Sequence, residues 1–186
     1  MNARRRILAA SLAAASLALF GPQAFAQTPK VLKISHQFPG GSIDEGDFRD
    51  RMVRKFAAEV EKRTNGQLKF EIYPGGSLVK PVEQWGAMAN GSLDMSLYPL
   101  AYAGGRVPEL NIGLMPALVT SYEQGLRWKD APIGKELTRI VEEKGVKIIT
   151  WVWQAGGIAS RAKPVISPDD VKGLKFRGGS KEMDVM

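Results

Sequence analysis

The chain has 186 residues, a net charge of +7, one histidine and no cysteine. With 44% hydrophobic and 24% charged residues it is globular rather than disordered, and its length suits one domain or a little more. The missing thiols exclude a disulfide framework, thiolate metal ligation and a cysteine nucleophile. A single histidine excludes the helical H-E-x-x-H zinc motif and other poly-histidine sites.

Residues 1–26 read as a secretory leader. Arg4, Arg5 and Arg6 form its positive end, Ile7 to Phe20 is an apolar stretch of 14 residues, and Ala24-Phe25-Ala26 is a small-x-small cleavage site. The apolar stretch is short for a membrane span, and Gly21-Pro22 breaks it. An uncleaved anchor is the other reading of the same segment. Cleavage would remove three of the 26 bases and none of the 19 acids, leaving +4 on 160 residues. The remaining bases are scattered, which argues against a nucleic-acid partner. Export to a bacterial periplasm is the expectation.

Val31 to Gln37 alternates apolar and polar residues, the period of a half-buried strand. Pro39-Gly40-Gly41 interrupts it. Ser42-Ile43-Asp44-Glu45 reads as a capping box opening a helix that runs to Thr64. Phe48, Met52, Val53, Phe56, Ala57 and Val60 form its apolar stripe, and Asn65-Gly66 ends it. Gln67 to Tyr73 alternates as a second strand, turned by Pro74-Gly75-Gly76. Pro81 opens a helix through Trp85, Met88 and Ala89 to Asn90-Gly91.

Leu93 to Leu97 predicts a third strand, and Pro99 to Pro116 an irregular surface crossing. Pro132 to Lys144 predicts another helix. Val146 to Trp153 is the most β-prone run of the chain. Ser167-Pro168-Asp169-Asp170 is a helix start, and Leu174 to Arg177 returns to strand. Strands alternating with amphipathic helices predict an α/β fold with a mostly parallel sheet. Ser180 to Met186 resembles the opening of a helix, so the chain is expected to stop before its fold is complete. A compact natural end with a frayed tail is the alternative.

Chemical signatures are few. The chain has no G-x-S-x-G, P-loop or G-x-G-x-x-G motif, so neither a cofactor nor a metal is expected. His36 ends the first strand, where open α/β sheets bind ligands, but a polar strand end explains it equally. Arg177 precedes Gly178-Gly179, and its planar fork suits a carboxylate; a surface or ion-paired arginine is the other reading. Arg161 is a weaker case of the same kind. Trp151, Trp153, Tyr98 and Tyr102 read as core or as pocket walls. The residues alone reach an exported α/β protein that binds a small molecule.

Four segments carry a resemblance: LKISHQFPGGS, GQLKFEIYPGGSLVKPVEQW, NGSLDMSLYPLAYAGGRVPEL and PVISPDDVKGLKFRGGS, spanning about residues 31 to 180. In this order and spacing the chain resembles the solute receptors of tripartite ATP-independent periplasmic (TRAP) transporters, of the DctP type. The resemblance implies a two-lobed fold of the type II periplasmic-binding-protein kind, with a cleft that closes on its ligand. It implies a first lobe over 27–152, largely present, and over 153–186 the crossover and start of an incomplete second lobe.

The resemblance assigns Arg177 to the carboxylate of a small organic acid. A second arginine some twenty residues earlier is common in relatives that bind sialic or dicarboxylic acids. That place here falls near Gly157, with Arg161 four residues on. A sugar acid and a dicarboxylate or keto acid both remain open. Trp153, Tyr98 and Tyr102 would line the site, and Gln154 and His36 would supply hydrogen bonds. The implied partner is a membrane permease. A sensor feeding a membrane histidine kinase, and a receptor too short to function, are the rival readings. An enzyme is not expected, because no credible acid/base pair is present.

Overall fold

The computed structural model describes residues 28–157, 159–161, 163–175 and 177. The expected leader at 1–26, Gly178-Gly179 and the helix-like segment 180–186 lie outside the described residues. Three strands form a parallel sheet: β1 (Lys30–His36), β2 (Leu68–Tyr73) and β3 (Met95–Leu97). Their order is β2-β1-β3. β1 is central, so its last three residues, Ile34, Ser35 and His36, are covered from both sides and fully buried. Lys30 pairs with Leu68 and Ser35 with Tyr73 on one side, and His36 with Leu97 on the other. β3 is shorter than its alternation predicts. The reason is local: the Asp94 carboxylate accepts from the Lys33 N–H at 2.8 Å, where a strand backbone would otherwise pair.

The crossovers are helical, as parallel pairing requires. Helix α1 (Phe48–Arg63) joins β1 to β2 and buries Val53 and Ala57. It begins five residues later than the capping-box reading of Ser42 predicts. The Ser42 hydroxyl instead accepts from the N–H groups of Asp44 and Glu45 at 3.3 and 3.0 Å, closing a separate turn. Gly46 then takes a left-handed φ of 98°, and Asp47 caps the helix by accepting from the Arg49 N–H at 2.9 Å. The helix ends where expected, with Asn65 and Gly66 both at positive φ. After β2, Gly75 and Gly76 turn the chain at φ of 65° and 69°, angles that an L side chain would resist. Helix α2 (Gln84–Ala89) follows a short turn at Pro81–Glu83 and leads to β3.

The stretch expected to cross the surface between Pro99 and Pro116 is instead part of the core. It folds as two tight 3₁₀ segments, Leu100–Ala103 and Pro108–Leu114. Ala103, Val107 and Leu110, spaced by four and three, turn one face inward to meet Trp85, Trp128, Leu137 and Val141. Helix α3 (Tyr122–Arg127) leads to Trp128, and helix α4 (Pro132–Glu143) completes this cluster with Leu137 and Val141. α4 has the span its pattern predicts, whereas α3 is unannounced by any apolar stripe. Its cap is nevertheless an ordinary one, Ser121 accepting from the Gln124 N–H at 3.1 Å.

Two expected strands do not form among the described residues. Val146 to Trp153 is extended, with Val146, Ile148, Trp151 and Trp153 packed on the core cluster. It has side-chain burial but no adjacent strand, and β-propensity without a pairing edge yields only extended chain. Leu174, Lys175 and Arg177 are likewise unpaired. The predicted helix start at Ser167 is one 3₁₀ turn, Pro168–Val171, in which the Asp170 carboxylate accepts from the Ser167 N–H at 2.8 Å.

Candidate functional site

The chain leaves β1, builds β2 on one side, then returns to build β3 on the other. In open parallel sheets the carboxyl end of such a switch point is where ligands bind, because the two departing loops diverge there. Here that point lies between His36 and Leu97, which pair in register. His36 ends β1 at that point, and Tyr98 is the next residue after β3.

His36 is completely buried. Its Nε2 lies 3.1 Å from Oδ1 of Asp50, which is also completely buried. The same carboxylate accepts from the Gly41 N–H at 2.8 Å and from Arg54 Nε at 2.7 Å. Burial alone would raise the Asp50 pKa, but these donors and the nearby positive charge outweigh it and hold it below the ordinary carboxylate value. Burial pushes the His36 pKa below its ordinary value, and Asp50 offsets this only in part. The pair is thus an ionised carboxylate beside a neutral imidazole. Nε2 carries the proton toward Asp50, and Nδ1, buried and without a partner among the described residues, keeps its lone pair.

A chain of contacts runs outward from His36. The Phe38 ring lies 5.9 Å from the imidazole, and the Arg49 guanidinium sits 3.9 Å above Phe38. Arg49 Nε and Nη2 donate to the two Asp47 oxygens at 2.8 and 2.6 Å. That hydrogen-bonded pair lowers the Asp47 pKa to about 2. Arg49 Nη1 donates to Gln154 Oε1 at 3.3 Å, joining the start of α1 to a segment 105 residues away.

Tyr98 and Tyr102 meet edge to face at 6.1 Å, and Tyr98 also packs against Trp85 at 6.1 Å. The Tyr98 hydroxyl is buried without a partner among the described residues, and burial pushes its pKa up to about 12. Trp153 packs on Trp128 at 5.1 Å and stacks on Trp151 at 6.4 Å. Its close seat requires Gly125, where a Cβ would come within 2.8 Å of the indole ring. The Trp153 Nε1 is also buried and unpaired within the protein. The rings thus serve the core while their polar tips stay uncommitted. Arg161, at a bend, and Arg177, beyond the Pro168–Val171 turn, are both exposed.

The structure therefore links His36 and Gln154 through Phe38 and Arg49, and packs Tyr98 and Trp153 on one cluster. It does not bring Arg161 or Arg177 against them among the described contacts. Sequence reasoning missed Arg49 and Asp50. One signal was available: Arg49 and Arg51 stand in the first turn of α1, against the helix dipole, where a base needs another reason to be. A separate groove of about 830 Å³ lies between the Pro108–Leu114 turn and α4, and none of the seven candidate residues lines it.

Comparison with known proteins now places the chain. The parallel sheet with its helical crossovers defines an α/β protein. The chain belongs to the bacterial extracellular solute-binding proteins of family 7, the DctP family, whose pattern matches residues 42–186. Members of this family are solute receptors. A solute-binding protein of Albidiferax ferrireducens is 67% identical over 163 residues, covering 88% of this chain and 48% of the relative. The C4-dicarboxylate-binding periplasmic protein DctP of Rhodobacter capsulatus is 31% identical over 175 residues, covering 93% and 51%.

Among solved structures, a TRAP periplasmic solute-binding protein of Rhodoferax ferrireducens with bound malonate superposes with a TM-score of 0.80 at 68% identity. It covers 82% of this chain and 48% of its own. The chain thus spans about half the length of the relatives it matches. No helix among the described residues is long and apolar enough to cross a membrane.

Proposed function

We propose that the chain is an exported TRAP-type receptor that binds a small organic acid at the carboxyl edge of its sheet and delivers it to a membrane permease. On this reading residues 1–26 direct export, 27–152 form the first lobe, and 153–186 open the second. The observation that supports it is that three candidate residues carry buried polar tips without a partner among the described residues, His36 Nδ1, Tyr98 Oη and Trp153 Nε1, with Arg51 Nε a fourth such atom beside them in sequence. Leaving such a group unpaired costs about 1–3 kcal/mol, so a fold retains three of them where a solute supplies the partners. Two are donors suited to carboxylate or hydroxyl oxygens, and one is an acceptor suited to a solute hydroxyl. Malonate in the similar solved receptor, and the C4-dicarboxylate name of another relative, favour an acid of this class. Sugar acids and keto acids fit the same donors.

We assign the solute carboxylate to Arg177, with Arg161 as a second exposed cation earlier in the chain. Tyr102 and Gln154 complete the walls. No observation favours the kinase-sensor reading. A thermal-shift screen of this chain against malonate, C4 dicarboxylates, uronates and keto acids tests the proposal. A ligand at a hundredfold its Kd stabilises by about 2.7 kcal/mol, a rise of several degrees in Tm. An acid that raises Tm where its neutral analogue does not supports the reading; no response to any acid sinks it. Calorimetry of Arg177→Ala then tests the assignment. Truncating a paired charge costs about 2–5 kcal/mol, or roughly 30-fold or more in affinity. Unchanged affinity removes Arg177 from the site.

A further inference from the structure

We infer that Gln84 is a positioning residue of the solute site: its buried amide straps the short strand β3 across β1 and so fixes where Tyr98 stands. This rests on the receptor reading above and adds to it a residue that need not touch the solute. Gln84 is the first residue of α2 and is 1% exposed. Its Oε1 accepts from the Ser96 hydroxyl of β3 at 2.7 Å. Its Nε2 donates to the Val79 carbonyl, in the loop after β2, at 2.9 Å and to the Ser35 hydroxyl of β1 at 3.4 Å. Ser35 in turn donates to the Tyr73 carbonyl at the end of β2, at 3.5 Å. The donors thus run in one direction, from β3 through α2 to β1 and β2, so that each bond polarises the next.

β3 needs such a strap. It has three residues and meets β1 over three register pairs, the last of them His36 with Leu97. Ser96 stands opposite Ser35, one pair back from the switch point. Tyr98 comes two residues after Ser96, and its ring packs at 6.1 Å on Trp85, the neighbour of Gln84 in α2. Tyr98 is therefore placed twice by one amide, through the strand that Ser96 anchors and through the helix that Gln84 begins. A binding group has to be held within about half an ångström of its productive place, and a loosened β3 carries the Tyr98 hydroxyl out of it. The chemistry also calls for an amide. Ser96 brings a donor and Val79 an acceptor, so the group between them has to both accept and donate, and a carboxylate can only accept.

Calorimetry on the full chain with malonate, or failing it the acid of the screen above that raises Tm most, reads the positioning. Each titration is run well below the variant's Tm, so that lost stability alone leaves the affinity unchanged. Gln84→Leu keeps the volume without the hydrogen bonds and should weaken binding about tenfold. Ser96→Ala leaves the amide its other partners and should weaken binding about threefold. Gln84→Glu supplies a signature that packing alone would not. Burial keeps the introduced carboxyl protonated in mild acid, where it still donates to Val79 and accepts from Ser96; at higher pH it ionises and loses the donor. Its affinity relative to the unsubstituted chain at the same pH should be near unity at about pH 5 and about tenfold lower by about pH 8. Unchanged affinity in Gln84→Leu overturns the inference and leaves the receptor reading intact. Where that protein does not fold, unchanged affinity in Ser96→Ala does the same. A ratio for Gln84→Glu that does not vary with pH also overturns it. An unsubstituted chain that binds no acid of the screen overturns both.

Discussion

The turn after β1 and the extended segment from Val146 onward are built on opposite terms. In the first, buried polar groups are gathered on one carboxylate. Asp50 alone collects Gly41, Arg54 and His36. In the second, Val146, Ile148, Trp151 and Trp153 lean on the core cluster while the backbone beside them pairs with no strand among the described residues. The first region is specified by polar geometry and the second by ring packing. Damage should therefore look different in each: an uncompensated charge in one, a steric misfit in the other.

The largest effect should follow Asp50→Ala. The substitution strands the Gly41 N–H, the Arg54 guanidinium and the proton on His36 Nε2, all of which now share one carboxylate. Removing one member of a buried ion pair costs about 3–5 kcal/mol, and urea denaturation would read it as a lowered midpoint at unchanged slope. A loss below about 1 kcal/mol would mean that this region is not held by its polar geometry at all. Gly125→Ala should cost less, about 1–3 kcal/mol, because it forces Trp153 to move rather than leaving a charge alone. Trp153 contacts Trp128 and Trp151, so the intrinsic fluorescence should shift as well. Loss of stability without a spectral change would place the misfit elsewhere.

The same contrast explains what could be read in advance. Alternation located β1 and β2, and the apolar spacing located α1 and α4, because each pattern answers to one buried face. The strand order could not be read that way. It depends on which side of β1 the returning chain takes, and Leu93 to Leu97 looks the same in either arrangement. Pro99 to Pro116 was misjudged because glycine and proline advertise turns, while the inward spacing of Ala103, Val107 and Leu110 is too short and too small-residued to signal a core. His36 was visible as a strand end, but its partner Asp50 was hidden among the charges of a helix that seemed to begin elsewhere. The Arg49–Gln154 contact spans 105 residues, beyond any local pattern.

The smallest effect expected is a pH dependence confined to the first region. The folded pKa of His36 is depressed by burial below its ordinary value of 6.5. As pH falls through 6.5 the unfolded chain takes up a proton that the folded chain refuses, so the unfolded state binds more protons and stability declines. The contribution is fully present above the ordinary value and is lost as pH drops toward the folded one. Asp50 is held below its own ordinary value of 3.8, so its loss begins only in stronger acid, and the two windows separate. His36 is the chain's single histidine, which makes it the only side chain ordinarily titrating between about pH 5 and about pH 7. Urea midpoints should therefore fall across that interval, and His36→Gln should flatten the decline whatever it does to overall stability. A decline that persists in His36→Gln would trace the effect to groups outside the buried pair, and the Trp153 side of the molecule would become the place to look.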